Sequence, residues 1–184
     1  MAKNIIKSLF NSPKLKECRN CKEDFQPYKT TQIVCCSTCA TEYARLKVWK
    51  DERKLMIDSS RTRTEWLNLL QVVFNTFIRE RDKDLPCISC GTTNNIQYHA
   101  GHYFSVGSCP ALRFNEDNVH KQCVQCNNFL HGNLVEYDRA LKVKLGLTKY
   151  ADLYALKGSI LKLTGLEIKE LINVYKKKIK ELKK

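Results

Sequence analysis

No run in this chain is long and apolar enough to span a membrane, and its opening residues, MAKNIIKSLFNSPK, lack the apolar core and small-residue cleavage site of a secretory leader. These two gaps lead us to expect a cytoplasmic protein with no membrane partner. Acidic residues are also in short supply: 19 Asp and Glu stand against 32 Lys and Arg, a formal net charge of +13. That deficit favours a polyanionic partner such as DNA, because each phosphate neutralised by a lysine or arginine releases condensed counterions. The chain has no Cys2His2 spacing of the kind that sets a recognition helix in the major groove. Nor does any βαβ pattern surround its Cys-x-x-Cys pairs, which argues against a thioredoxin-like redox role.

The ten cysteines are the other side of those absences. In a reducing compartment they read as metal-bound thiolates rather than a disulfide scaffold. Cys87/Cys90 and Cys123/Cys126 form two paired knuckles, the soft four-thiolate set that closes a tetrahedral zinc site. A second set opens with Cys18 and Cys21. Its other pair is either Cys35 with Cys39 or Cys36 with Cys39, since both spacings can close a tetrahedron; we favour Cys35. The chain is thus expected to carry two structural Zn2+ ions. All four histidines, His99, His102, His120 and His131, lie between or just beyond the core knuckles. A purely structural zinc loop needs none of them.

Charge is uneven along the chain. Lys and Arg number 14 against 7 acidic residues over 1–63 and 7 against 3 over 165–184, while 87–135 is neutral at 2 against 2. Basic flanks bracketing an uncharged centre suit arms that hold phosphates while a central site works on one. Arg45, Lys47, Lys50, Arg53 and Lys54, on a helix expected over about 41–58, are the DNA-binding candidates. Arg113 is the only arginine of the centre, so we expect a phosphate clamp there, with an ion pair to Glu116 as the competing role.

Periodicity supplies the frame. Thr62 and Glu65 stand at capping-box spacing before a helix running to about Arg81, with Trp66, Leu69, Leu70, Val73 and Phe77 as its core stripe. A hairpin should follow: one strand from Ile96 to Phe104, the other near 112–114 or 119–122. A helix then starts near Val124 or Gln125. Another runs from Leu134 towards a C-cap at Gly146, with a short helix over 150–156. Thr164 and Glu167 open a final basic helix whose Ile168, Ile172, Tyr175, Ile179 and Leu182 leave dimerisation, DNA contact and packing all open. The expected organisation is a basic arm (1–17), a zinc knuckle with its helix (18–60), a linking helix (61–86), the zinc-stapled centre (87–146) and C-terminal basic helices (147–184).

The order His102, Asn118, then a polar residue after the last Cys-x-x-Cys resembles the HNH, or ββα-metal, nuclease motif in its zinc-stapled form. More narrowly, AGHYFSVG, LRFNEDNVHKQCVQCN and HGNLVEYDRAL resemble the NinG family of phage recombination proteins, also called Rap, over about 18–145. The resemblance implies an α+β, mostly helical chain with a small treble-clef ββα-metal core. It implies a metal-dependent endonuclease acting on branched recombination intermediates such as Holliday junctions in the host cytoplasm. On it, His102 is the general base, Asn118 braces the loop that carries the base, and Asn127 completes the catalytic set. Many HNH nucleases carry Asp or His before the base and His on the following helix; here those places hold Gly101 and Asn127. Asn127, His131 and His99 are therefore the candidates for holding Mg2+ or Mn2+. Asn127 and His131 are expected to share a helix face. Symmetric nicking of a junction would call for a homodimer. The competing readings are an HNH enzyme that nicks duplex DNA, and a non-catalytic zinc module that binds DNA or recruits a partner.

Overall fold

A computed structural model describes residues 14–94 and 97–184, so most of the expected N-terminal arm, and Ile96 at the expected start of the hairpin, lie outside the described residues. The chain divides into two compact units, 1–61 and 62–184.

The first unit is small. Two-residue strands β1 (Lys16–Glu17) and β2 (Asp24–Phe25) pair antiparallel around the Cys18–Cys21 turn. The turn is closed by Cys18 N–H donating to the Glu23 carbonyl (2.9 Å) and Lys22 N–H to the Cys18 carbonyl (3.0 Å). Helix α1 (Ser37–Ser60) follows, starting four residues earlier than its composition suggests, so that Cys39 falls in its first turn. It contains neither Gly nor Pro and buries no residue. Its helicity therefore rests on good helix formers and on the thiol cluster at its start, since an isolated helix gains little without a packed face.

The second unit is built on α2 (Arg63–Arg81) and α4 (Gly165–Leu182), which pack along each other. Both begin with complete capping boxes, Thr62 with Glu65 and Thr164 with Glu167, each side chain bonding the other's backbone N–H. The core holds Trp66, Leu70, Val73 and Phe77 as expected, but the buried face of α2 extends to Leu67, Phe74 and Ile78 while Leu69 is only partly covered. The stripe is thus wider than the five positions read from the sequence, as a core-facing helix requires. Phe74 is the pivot, meeting Tyr175 edge-on at 5.0 Å and Phe114 at 5.7 Å between ring centroids. The stripe of α4 is consumed by this packing: Ile168, Ile172 and Tyr175 are buried and Ile179 is packed against the core, while Leu182 stays exposed.

Strands β3 (Tyr98–His102) and β4 (Val119–Cys123) form an antiparallel hairpin, in which His99 faces Gln122, Gly101 faces His120 and His102 faces Val119. The stretch at 112–114, the alternative site for the second strand, instead lies at the end of a 3-10 turn, Pro110–Leu112. Arg81 fastens α2 to the hairpin: it grips Asp82 with two bonds of 2.8 Å and donates to the Glu116 and Val119 carbonyls at 2.9 Å. Burial works to raise the Asp82 pKa, but the Arg81 fork, Lys144 and the Lys121 N–H outweigh it and leave the carboxyl below its ordinary value.

After β4 comes a single π-turn, Gln125–Phe129, then α3 (Leu134–Ala155), broken at Gly146. Gly146 takes φ 73°, a backbone region that favours glycine, so the C-cap expected there is a break after which the helical run resumes. The break turns Tyr150 and Tyr154 back onto Tyr103, and the hydroxyls of Tyr103 (2.5 Å) and Tyr150 donate to Asp138. No helix among the described residues is long and apolar enough to cross a membrane.

Candidate metal centres and the histidine site

The thiols of Cys87, Cys90, Cys123 and Cys126 all lie within 4.8 Å of one another, as do those of Cys18, Cys21, Cys35 and Cys39. Each cluster can hold one tetrahedral zinc ion. The N-terminal cluster takes in Cys35 and not Cys36; Cys36 is the N-cap of α1, its sulfur 3.7 Å from Cys35 Sγ and 3.2 Å from the Thr38 hydroxyl. Backbone N–H groups reinforce both sets, Cys123 N–H donating to Cys87 Sγ at 3.3 Å and Cys35 N–H to Cys18 Sγ at 3.3 Å. Burial and the crowding of Cys90 and Cys123 push the Cys126 thiol up to about 12. A cation bound between the four sulfurs would reverse that shift and hold them as thiolates.

Between the core knuckles, His102 ends β3 with Nε2 donating to the Arg113 carbonyl at 3.0 Å. Burial lowers its pKa, against the pull of the Arg113 and Ala100 carbonyls. The ring is therefore neutral at physiological pH, with its proton on Nε2 and its lone pair on Nδ1. Asn118 is fully buried beneath the loop that follows. Its Oδ1 accepts from Phe104 N–H (2.8 Å) and its Nδ2 donates to the Phe104 and Leu112 carbonyls (3.0 Å each). One amide thereby pins both ends of the segment from 104 to 112 that leads to the Arg113 carbonyl.

On the other face of the hairpin, Asn127 Nδ2 donates to His99 Nδ1 at 3.1 Å. These two candidates meet; His131 does not join them. The helical turn ends at Phe129, and His131 adopts a left-handed φ of 48° beyond it, so it shares no helix face with Asn127. His131 has no hydrogen-bond partner among the described residues. Among those residues, only the two thiol clusters bring three or more His, Cys, Asp or Glu ligands together.

The place of Gly101 is filled from the opposite strand. A Cβ at 101 would collide with Gln122 Oε1 and lie 2.9 Å from the Gln122 Cβ. Gln122 is fully buried; its Nε2 donates to Ser89 Oγ (2.6 Å) and the Gly132 carbonyl, and its Oε1 is the one buried side-chain oxygen or nitrogen without a partner among the described residues. The Gly101 carbonyl accepts from Tyr137 Oη at 2.9 Å, and the Tyr137 oxygen in turn meets His120 Nδ1 at 3.3 Å. Burial, with Lys144 and Arg81 nearby, lowers His120 to about 3, so it serves as a neutral strut. Neither Gln122 nor Tyr137 was legible as a site residue. Only the strand register puts Gln122 beside Gly101.

Two expectations about charge are corrected. The Arg113 guanidinium is held by Gln71 (2.8 Å) and Asn68 (3.5 Å) of α2, so it is no free phosphate clamp, and Glu116 pairs with Lys178 (2.6 Å) rather than with Arg113. Arg113 serves the histidine through its carbonyl. Asp117, near the start of β4, pairs with Lys149 at 3.5 Å. Of the α1 candidates, Arg45 contacts Glu42 (3.9 Å) and Arg53 lies over the Trp49 ring (5.3 Å); Lys47, Lys50 and Lys54 are solvent-exposed.

Residues 47–184 match the family described as bacteriophage lambda NinG protein. The chain belongs to the NinG family. It is 40% identical over 157 residues to Protein ninG of Escherichia phage lambda, covering 73% of this chain and 77% of the relative. With Protein ninG of Salmonella phage P22 it shares 35% identity over 191 residues, covering 91% of this chain and 94% of that one. No solved structure matches. The family match takes in the core thiol cluster and all four histidines. It begins inside α1, leaving the first thiol cluster outside, whereas the P22 match is too extensive to omit the first unit altogether.

Proposed function

We propose that this chain is a metal-dependent DNA endonuclease that cuts branched recombination intermediates such as Holliday junctions. The observation that carries the cutting step is the state of His102: neutral, oriented by the Arg113 carbonyl, on a hairpin stapled between two cysteine knuckles. The branched substrate rests on the family resemblance.

In this reading, His102 Nδ1 takes a proton from the attacking water, and the Nε2–H bond to Arg113 steadies the imidazolium that results. Asn118 keeps that carbonyl in place. His99 and Asn127 are the residues to hold a divalent ion. An imidazole and one amide oxygen would suit an ion that keeps several waters and takes phosphate oxygens, with Mn2+ more tolerant of the nitrogen than Mg2+. Held there, an ion would lie on the hairpin face opposite His102, and the charge relief it would supply would act on a DNA phosphate bound at that face.

The test is cleavage of a labelled four-way junction and a matched linear duplex, with Mg2+ or Mn2+ against EDTA, by wild type and His102→Ala. The expected result is metal-dependent cutting of the junction, abolished in the variant, with an acid limb of activity below the ordinary histidine pKa because burial depresses that of His102. Equal cutting of the linear duplex would make the chain a general HNH nicking enzyme. A second reading, a non-catalytic zinc-stapled DNA-binding module, draws on the absence, among the described residues, of any three-ligand group that includes His99, and on the side chain missing at 101. Binding without cutting under every condition would establish it instead.

A further inference from the structure

The first unit contains a basic cleft that the candidate site does not use. It has a volume of about 350 Å³; Arg19, Asn20 and Lys22 form one wall and Tyr43, Lys47 and Lys50 the other. We propose that this cleft is a built phosphate-binding site that holds the DNA backbone, separate from the nuclease-like core.

Three features separate it from an ordinary solvated helix face. First, its cations come from two segments that the thiol cluster ties together: Cys18 and Cys21 bracket Arg19 and Asn20, and Cys39 stands one turn before Tyr43 on α1. The walls are thus fixed before any ligand arrives, which lowers the entropic cost of binding. Second, Lys22 holds a left-handed φ of 68°, a conformation that non-glycine residues adopt rarely. Its ammonium has one acidic neighbour, Glu17 at 3.4 Å, in an exposed pair that a phosphate can displace. Third, the cations of both walls, Arg19 foremost and then Lys47 and Lys50, converge on Tyr43 and keep its pKa below the ordinary tyrosine value. No acidic residue of α1 lines the cleft. Lys54 continues the basic row, one helical turn beyond Lys50 and on the same side. Arg45, two positions from both Tyr43 and Lys47, points elsewhere.

The choice of DNA as the polyanion rests on the function proposed above, but the site does not depend on the cutting step. The test measures binding of the full chain to labelled four-way junction and linear duplex DNA, without added Mg2+ or Mn2+, across a range of salt. One variant replaces Arg19, Lys22, Lys47 and Lys50 with Gln; a control removes the same charge from α4 and the chain just beyond it by replacing Lys176, Lys177, Lys180 and Lys184. Zinc content is measured for both, and two ions per chain must be retained for the comparison to count as a binding effect. The expected result is at least a tenfold loss of affinity in the cleft variant, with the salt dependence shallower by about 3 in log–log slope, and a smaller change in the control. Single Lys47→Gln and Lys50→Gln variants, which leave the knuckle untouched, should each lower the slope by about 1. Unchanged binding in the cleft variants, or an equal loss in the control, would overturn the proposal. Wild-type binding without cutting would count against the nuclease reading alone.

Discussion

At the scale of single residues, the hairpin depends on a glycine that makes room rather than a turn. Gly101 is extended strand, and its missing side chain is replaced by that of Gln122 from across the ladder. Gly101→Ala should therefore be destabilising alone, and much of the loss should disappear when Gln122→Ala is made with it. Urea denaturation of the two single variants and the double variant, with zinc present, should return a coupling energy of about 1–3 kcal/mol. Additive effects would show that Gln122 moves aside at no cost. From the sequence, Gly101 reads as a gap in a motif; the structure makes it one half of a packing pair. His102 and Asn118 could be singled out as candidates because their order and place between two knuckles are written along the chain. Gln122 and Tyr137 could not, because what they do depends on register and on a helix folding back.

At the scale of elements, periodicity and caps were enough to locate α2 and α4, and Thr62 and Thr164 mark their first turns to the residue. Periodicity could not say what the α4 stripe packs against, because an apolar seam looks alike whether its partner is another chain or its own α2. In the fold it is α2. Ile172→Ala should accordingly cost about 2–4 kcal/mol, whereas Leu182→Ala, at the exposed end of the same seam, should cost under about 0.5 kcal/mol. Chemical denaturation read by far-ultraviolet circular dichroism distinguishes this from a seam reserved for dimerisation, where both changes would chiefly alter association. The turn at 125–129 is the counterexample. A four-residue spacing from Asn127 to His131 suggests one helix face, but the helical turn ends at Phe129 and a left-handed residue follows. Spacing gives a shared face only as far as the helix continues.

At the scale of the molecule, two thiol clusters hold together a chain whose charge is concentrated outside the core. The segment counts showed that layout before any coordinates did, although they could not show that Arg19 and Lys22 join Lys47 and Lys50 around one cleft. Nor could they choose between Cys35 and Cys36. The grouping of the thiols favours Cys35: with each cluster loaded with zinc, Cys35→Ser should release one of two ions, measured by displacement with a thiol reagent, and Cys36→Ser should release none. Loss of zinc from the Cys36 variant would reverse the ligand assignment. Descent gives the Gly101–Gln122 pair a further meaning. Because one strand supplies the atoms that the other leaves out, the two positions form a single unit of inheritance. A lineage that acquires a side chain at 101 must shorten the residue at 122 in nearby steps, so the record of one change should be found in the other.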